Sequence, residues 1–376
     1  MKTPMDIIQH IKEEEDDFYS DDDLFSISSW GADLSFRELI DRYNEGGLVK
    51  PELQRKYVWD KSEASRFIDS LLLGLPVPSI FLAKTKDEKM LIVDGYQRIM
   101  TVYDFVRGIF SSDEKVFRLT RSDKINARWR GKAFTELSET EQRKIRNTTI
   151  HAIIFVQEQP AGTNTSLFQV FERINTSGST LLPQEIRNCV SQGKFNNLLF
   201  DLNKLPEWRD LFGLQTEDIR MRDLEFILRF FALSSESFRQ ETKEGISLKR
   251  FLNVYMNENR DPEQASLDAF RARFSAAIKF LHANFGPVAF QNISSTHPDR
   301  LVAKFNPTVF DSLMIATDFA LAQNAGHLPP NPEDKRRELL ADPEYRLAIS
   351  KETMRTASIR TRIRKAAKTL FNLDYA

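Results

Sequence analysis

Three features of the sequence predict an α+β chain, a mixed α/β domain followed by an all-helical domain. The first half alternates short β-branched strand signals with amphipathic helices, and beyond about residue 190 the apolar spacing becomes helical almost everywhere. The composition, 41% hydrophobic and 28% charged, is that of a globular chain with enough apolar side chain for a sizeable core. At 376 residues the chain exceeds one ordinary domain of roughly 100–200 residues. The expected division is an acidic, mobile leader over 1–30, an α/β domain over 31–190 and a helical domain over 191–376.

The elements follow in order. Ser35-Phe36-Arg37-Glu38 has the form of a capping box, and its helix stops at Gly46-Gly47. An extended stretch runs from Leu48 to Trp59. Ser62 is placed to cap a helix with apolar positions Phe67, Ile68, Leu71 and Leu72, which Gly74 and Pro76-Val77-Pro78 terminate. Ser79–Ala83 and Met90–Val93 read as short buried strands, and Asp94-Gly95 leads into a helix carrying Ile99, Val102, Tyr103 and Val106. A less regular basic segment precedes a second capping box, Ser138-Glu139-Thr140-Glu141, and the strand Ile150–Gln157. Leu167, Val170, Phe171 and Ile174 mark a helix ending at Asn175-Thr176-Ser177-Gly178. Helical spacing then recurs over 220–233, 247–256, 262–285, 307–325 and 358–372.

Charge and residue counts exclude several classes. Residues 1–30 carry nine acidic and two basic side chains, which leaves +6 on the rest of a chain of net charge −1. A positive body behind a negative leader suits nucleic acid, and Arg121, Lys124, Arg128, Arg130 and Lys132 are candidate phosphate contacts; a solvated helix face is the alternative for this stretch and for Lys351–Lys368. The longest aliphatic run, Leu71–Leu73, is far short of the roughly 20 residues that span a bilayer. The start of the chain has no signal-peptide pattern, and Cys189 is the one cysteine, so a reducing cytoplasm is the expected compartment. The five histidines are scattered and no metal site is expected.

The most informative segment is Leu91-Ile92-Val93-Asp94-Gly95-Tyr96-Gln97-Arg98. A strand ends, glycine permits a tight turn, and a helix begins whose first N–H groups lack intrahelical partners and suit an anion. Arg98 in the first turn opposes the helix dipole, which is understandable if an anion bridges it and the open N–H groups. Two readings stand side by side: a phosphate site with Asp94 as helix cap, or a capped helix with Arg98 paired to a nearby carboxylate. In Gln54-Arg55-Lys56-Tyr57-Val58-Trp59, Arg55 is suited to bidentate phosphate recognition, while Tyr57 and Trp59 suit either a core or a stacked base.

The order Gln54-Arg55-x-Tyr57-Val58-Trp59, a helix to Gly74, Pro76-x-Pro78-x-Ile80, then Val93-Asp94-Gly95-Tyr96-Gln97-Arg98 resembles the GmrSD restriction-endonuclease N-terminal domain family. Phe171-x-x-Ile174-Asn175-x-x-Gly178, with Leu181 and Glu185-Ile186-Arg187-Asn188, is similar to that family's later motif. The resemblance implies a ParB/sulfiredoxin-like core that binds a nucleoside triphosphate through an Asp-Gly-Gln-Gln-Arg loop associated with hydrolysis. It also implies restriction of modified phage DNA, with a separate HNH-type domain cutting the DNA. This sequence departs from the pattern at Tyr96, where the loop has its first Gln, and at Leu53, where Tyr is common. It also carries no recognisable HNH site.

The expected function is accordingly an NTP-binding and NTP-hydrolysing component of a DNA-directed system, acting with a nuclease or effector in trans. Asp94, Gln97 and Arg98 are the expected catalytic residues, with Mg²⁺ reachable from Asp94. Gln54, Arg55, Gly95, Tyr96 and Asn175 are the expected nucleotide contacts. The alternative is a non-catalytic DNA-binding or modification-sensing module that recruits an effector. The nucleotide base and the oligomeric state stay open, a homo-oligomer included.

Overall fold

In the computed structural model the described residues are 7–11, 26–49, 59–85, 88–159, 170, 182–294, 296–297, 299–324 and 326–375. They fall into two units. One comprises residues 22–181 and 188–190, the other residues 1–21, 182–187 and 191–376.

The α/β unit is built on strand β1 (Ser26–Ser35), helix α1 (Phe36–Asn44), β2 (Leu48–Val49), α2 (Lys61–Leu73), β3 (Ile80–Lys84), β4 (Met90–Asp94), α3 (Tyr96–Arg107), the hairpin β5 (Ile109–Phe110) and β6 (Lys115–Val116), α4 (Glu139–Asn147) and β7 (Thr149–Gln159). The five-stranded sheet has the order β1-β7-β3-β4-β2. It is mixed: β1 runs antiparallel to β7, β3 parallel to β7 and antiparallel to β4, and β2 parallel to β4. Ile80, Leu82, Ile92, Ile150, Ala152 and Ile154 from the sheet pack with Phe36, Leu39, Ile68, Leu71, Ile99, Val102, Phe105 and Ile145 from the helices in one buried cluster. Fully burying one such side chain contributes about 1.5–3 kcal/mol, so this layer is what holds the turn between β4 and α3 in place.

Capping chemistry sets the helix starts. Ser138 and Glu141 form both halves of the expected box on α4. At α1 only one half forms: Ser35 accepts from the Glu38 N–H, while the Glu38 carboxylate pairs with Arg42 at 2.9 Å. Helix α2 is capped by Asp60 and not by Ser62, in a complete box with Glu63; the helix already begins at Lys61, so Ser62 lies inside its first turn.

Two features add detail to the expected division. Ser26–Trp30 opens the longest pairing in the sheet, with β7, and Gln9 N–H donates to the Phe305 carbonyl at 2.7 Å beside the bridge from Ile8 to Phe305. The second unit is not purely helical, because β8 (Gln291–Ile293) and β9 (Leu301–Phe305) form a hairpin within it.

That second unit also holds α5 (Pro183–Val190, whose first five residues belong here), α6 (Lys194–Asn203), α7 (Pro206–Phe212), α8 (Arg222–Leu233), α9 (Glu236–Arg239), α10 (Leu248–Glu258), α11 (Gln264–Phe285), α12 (Pro307–Ala322), α13 (Pro332–Ala341), α14 (Pro343–Ser350) and α15 (Thr356–Phe371). Helix α12 is buried on nearly every side, and Trp208 packs within about one ring's reach of Phe212, Phe274, Phe305 and Phe310. Its charges are buried in pairs: Asp311, fully buried, receives Arg229 at 2.6 Å and Arg362 at 2.8 Å. Among the described residues no helix is long and apolar enough to cross a membrane.

Candidate nucleotide site at the β4–α3 turn

The turn is made by one glycine. Gly95 adopts φ +99°, and a Cβ there would lie 2.2 Å from Ile80 Cγ2, so both backbone and space demand its lack of a side chain. Gly95 is also the N-cap of α3, and having no side chain it leaves the helix start without a side-chain cap. The N-terminal N–H groups and the positive end of the dipole are therefore not answered by the usual Ser, Thr or Asp oxygen.

Asp94 does not supply that cap. As the last residue of β4 it turns its carboxylate to Arg98, Oδ2 to Nη2 at 2.5 Å. The same Nη2 donates to the Ser79 carbonyl at 3.2 Å, which ties the first turn of α3 to the entry of β3. The side chain of Arg98 is 15% exposed, and its Nε is buried with no hydrogen-bond partner among the described residues. Of the two readings left open for this turn, the pairing of Arg98 with a nearby carboxylate is the one seen here. Its resting anion is Asp94, and one donor of the fork remains unsatisfied.

Gln97 is committed as well. Its Oε1 accepts from the Trp59 N–H at 3.3 Å, and its carbonyl accepts from the Thr101 hydroxyl at 2.7 Å. It thereby brings the end of the Gln54–Trp59 segment beside the turn. Gln54, Arg55 and Asn175 themselves lie outside the described residues.

The Tyr96 phenol is 4% exposed within the helix–sheet core, near Tyr43 and Asp104, and burial above all raises its pKa. A phenol this buried does not fit a nucleotide contact, which leaves the backbone N–H as the donor Tyr96 can offer. Asp104 is fully buried beneath it and accepts from both the N–H and the hydroxyl of Ser111, at 2.8 and 2.6 Å. Burial raises the Asp104 carboxyl above its ordinary range.

The basic segment 118–132 is an irregular loop fastened from below. Asp69, on α2, accepts from the buried Trp129 indole at 2.5 Å and from the Asn126 N–H at 3.0 Å, and Ser65 accepts from the Thr120 N–H. Sequence reading missed Asp69. Its signal was a carboxylate set among Phe67, Ile68, Leu71 and Leu72, where a charge requires a partner. Of the five expected nucleic-acid contacts, Arg128 pairs with Glu141 and Arg130 with Asp123, both at 2.8 Å. Arg121, Lys124 and Lys132 make no ion pair among the described residues.

The helical unit has a cleft of about 780 Å³, lined by Ser234, Tyr255, Arg273 and Asp318 among others. Its Arg273 is held by Asp318 at 2.6 Å and Ser234 at 2.8 Å. At the β4–α3 turn a helix start, an arginine and a tight glycine turn coincide.

Residues 36–191 match the model of the GmrSD restriction endonuclease, N-terminal domain. This region belongs to that family. The match includes the β4–α3 turn and the basic loop but covers less than half of the 376 residues, and no curated protein matches the chain. The GmrSD N-terminal domain associates the chain with restriction-type, DNA-directed systems.

Proposed function

We propose that this GmrSD N-terminal domain binds a nucleoside triphosphate at the β4–α3 turn and hydrolyses it, within a restriction-type system whose DNA cutting is done by a nuclease or effector in trans. The observation that carries this reading is a helix start closed by a left-handed glycine, with no side-chain cap and a mostly buried arginine whose Nε has no acceptor among the described residues. Such a start offers several backbone N–H donors and about half a positive charge, which suits phosphate oxygens. Phosphoryl transfer asks mainly for positioning and charge neutralisation, so a site without a nucleophilic side chain is chemically adequate.

The roles divide as follows. The N–H groups after Gly95 and the guanidinium of Arg98 hold phosphate oxygens, and Arg98 exchanges Asp94 for them. Gln97 acts by keeping Trp59 beside the turn; Arg55 is the proposed second cation, and Gln54 and Asn175 are the proposed amides. Among the described residues no three acidic, histidine or cysteine side chains gather as a metal cage. Mg²⁺ fits such a site, because it keeps several waters and commonly takes one carboxylate together with phosphates. Asp94, released from Arg98, is the residue that would hold it, and the ion would neutralise charge on the phosphates.

The Asp94–Arg98 pair also favours a second reading, a DNA-binding or modification-sensing module without catalysis, since a neutralised arginine needs no nucleotide. Thermal shifts of the full chain with ATP, GTP, CTP and UTP separate the two, because a ligand that binds the folded state raises its stability as concentration exceeds Kd. The proposal expects a shift with at least one nucleotide, and Arg98→Ala lowering turnover by an amount on the order of 3 kcal/mol, about a hundredfold. It expects Asp94→Asn to bind nucleotide more tightly without Mg²⁺ yet to hydrolyse it more slowly. No shift with any of the four, or Arg98→Ala leaving affinity and turnover unchanged, sinks it.

A further inference from the structure

The loop 118–132 carries six cations and one acid, Asp123. Three of the cations are answered locally: Arg118 by Glu136 at 2.7 Å, Arg128 by Glu141 and Arg130 by Asp123. Three are in surplus. Arg121 and Lys124 are exposed, and Lys132 adds its charge beside Glu136 and Glu141, each already paired to an arginine. Arg121 lies over the Gly131 turn, its Nε 3.3 Å from where a Cβ would stand, next to Lys132 in the chain.

The backbone beneath these charges is fastened by hydrogen bonds although it is neither helix nor strand. Arg130 donates to the Ile125 carbonyl at 2.8 Å, Leu119 N–H to the Lys132 carbonyl at 3.0 Å, and Trp129 and Asn126 are both bound to Asp69. A solvated charge run needs no such fastening. Preorganisation of this kind lowers the ordering cost of binding.

We infer that this loop is a docking surface for the phosphate backbone of duplex DNA, with Arg121, Lys124 and Lys132 as its contacts and Arg128 and Arg130 as the braces that shape it. The choice of DNA rests on the restriction-type reading above; the anionic character of the partner rests on the charges alone. Contacts of this kind position a protein on a duplex without reading sequence, so binding through this surface is sequence-independent.

Three phosphates neutralised give a slope of log affinity against log salt of about −2.7, or about 40-fold weaker binding between about 50 and 200 mM salt. The test is fluorescence anisotropy of the full chain with a labelled duplex across a salt series, for wild type, Arg121→Ala, Lys124→Ala, Lys132→Ala and the triple variant. Lys89→Ala, an exposed cation on the β3–β4 turn, serves as the control for net charge. Each single variant is expected to flatten the slope by about 0.9 and the triple variant to bring it near zero, with Lys89→Ala unchanged. Because each substitution is read separately, one that fails to fold leaves the others decisive.

Wild-type binding with an unaltered slope in the triple variant overturns this surface and leaves the DNA-directed reading intact. No binding to any duplex at low salt overturns both, while nucleotide thermal shifts judge the β4–α3 site independently. Tighter binding to duplex RNA of the same length overturns the assignment to DNA.

Discussion

Gly95→Ala is the substitution that most directly tests how the turn is built. A Cβ at this position meets Ile80 Cγ2 at 2.2 Å and Ile80 Cβ at 2.8 Å, against an ordinary carbon–carbon contact of about 3.5–4.0 Å. Ile80 is fully buried in β3 and cannot swing into solvent. Overpacking of this kind costs about 1–3 kcal/mol, and an L-residue forced to positive φ adds about 1–2 kcal/mol. The expected loss is therefore about 2–5 kcal/mol, borne by the α/β unit. Urea unfolding followed by tryptophan fluorescence can assign it, since Trp30, Trp59 and Trp129 lie in that unit and Trp208 is buried in the other. The steric part is separable: Ile80→Ala opens space for the new methyl, so the Gly95→Ala/Ile80→Ala cycle should show a favourable coupling of about 1 kcal/mol or more. A loss under about 1 kcal/mol, or single effects that add within about 0.5 kcal/mol, would refute the account of this turn.

Two other buried carboxylates give opposite lessons. Asp104 has its pKa raised by burial, so the folded chain binds that proton more readily than the unfolded chain; its contribution to stability then falls as pH rises above the ordinary 3.8 and through the folded value, and is level beyond it. Asp104→Asn should remove that decline, so unfolding midpoints of variant and wild type should diverge in the variant's favour as pH is raised from 4 toward neutrality; parallel pH curves would show that Asp104 stays ionised. Asp311→Ala strips the shared carboxylate from Arg229 and Arg362 and should cost about 3–5 kcal/mol, read as an early melting transition of the helical unit with the α/β transition unmoved; a loss below about 1 kcal/mol would show those arginines to be satisfied by other means.

The parts legible in the sequence were those governed by local rules. Gly74 and Gly95 stand at helix ends in left-handed backbone, and the Ser138–Glu141 box forms as the motif requires. The parts that were not legible depend on distant partners. β1 is a strand because β7 pairs with it over ten residues, yet its own sequence, Ser-Ile-Ser-Ser-Trp-Gly-Ala-Asp-Leu-Ser, has few β-branched residues and follows an acidic run. The β8–β9 hairpin is likewise short and held by Phe305 in an aromatic cluster that only the folded chain assembles. Asp69 was passed over for the same reason, its partners lying 57 and 60 residues away.

At the site, electrostatic reasoning identified the need but not the nearest supplier. A guanidinium in the first turn of a helix requires an anion. Asp94 is four residues from Arg98, the spacing of an ion pair along a helix, but it belongs to the preceding strand. Gly95 makes the difference, because its left-handed backbone folds the strand end back over the first turn while contributing no cap of its own. One residue therefore leaves the helix start open and gives the arginine an internal counter-ion. A phosphate entering this turn competes with Asp94 for a single guanidinium, so neutralising Asp94 should strengthen phosphate binding, whereas neutralising a carboxylate that merely cushions the fold should weaken the domain and gain nothing in affinity.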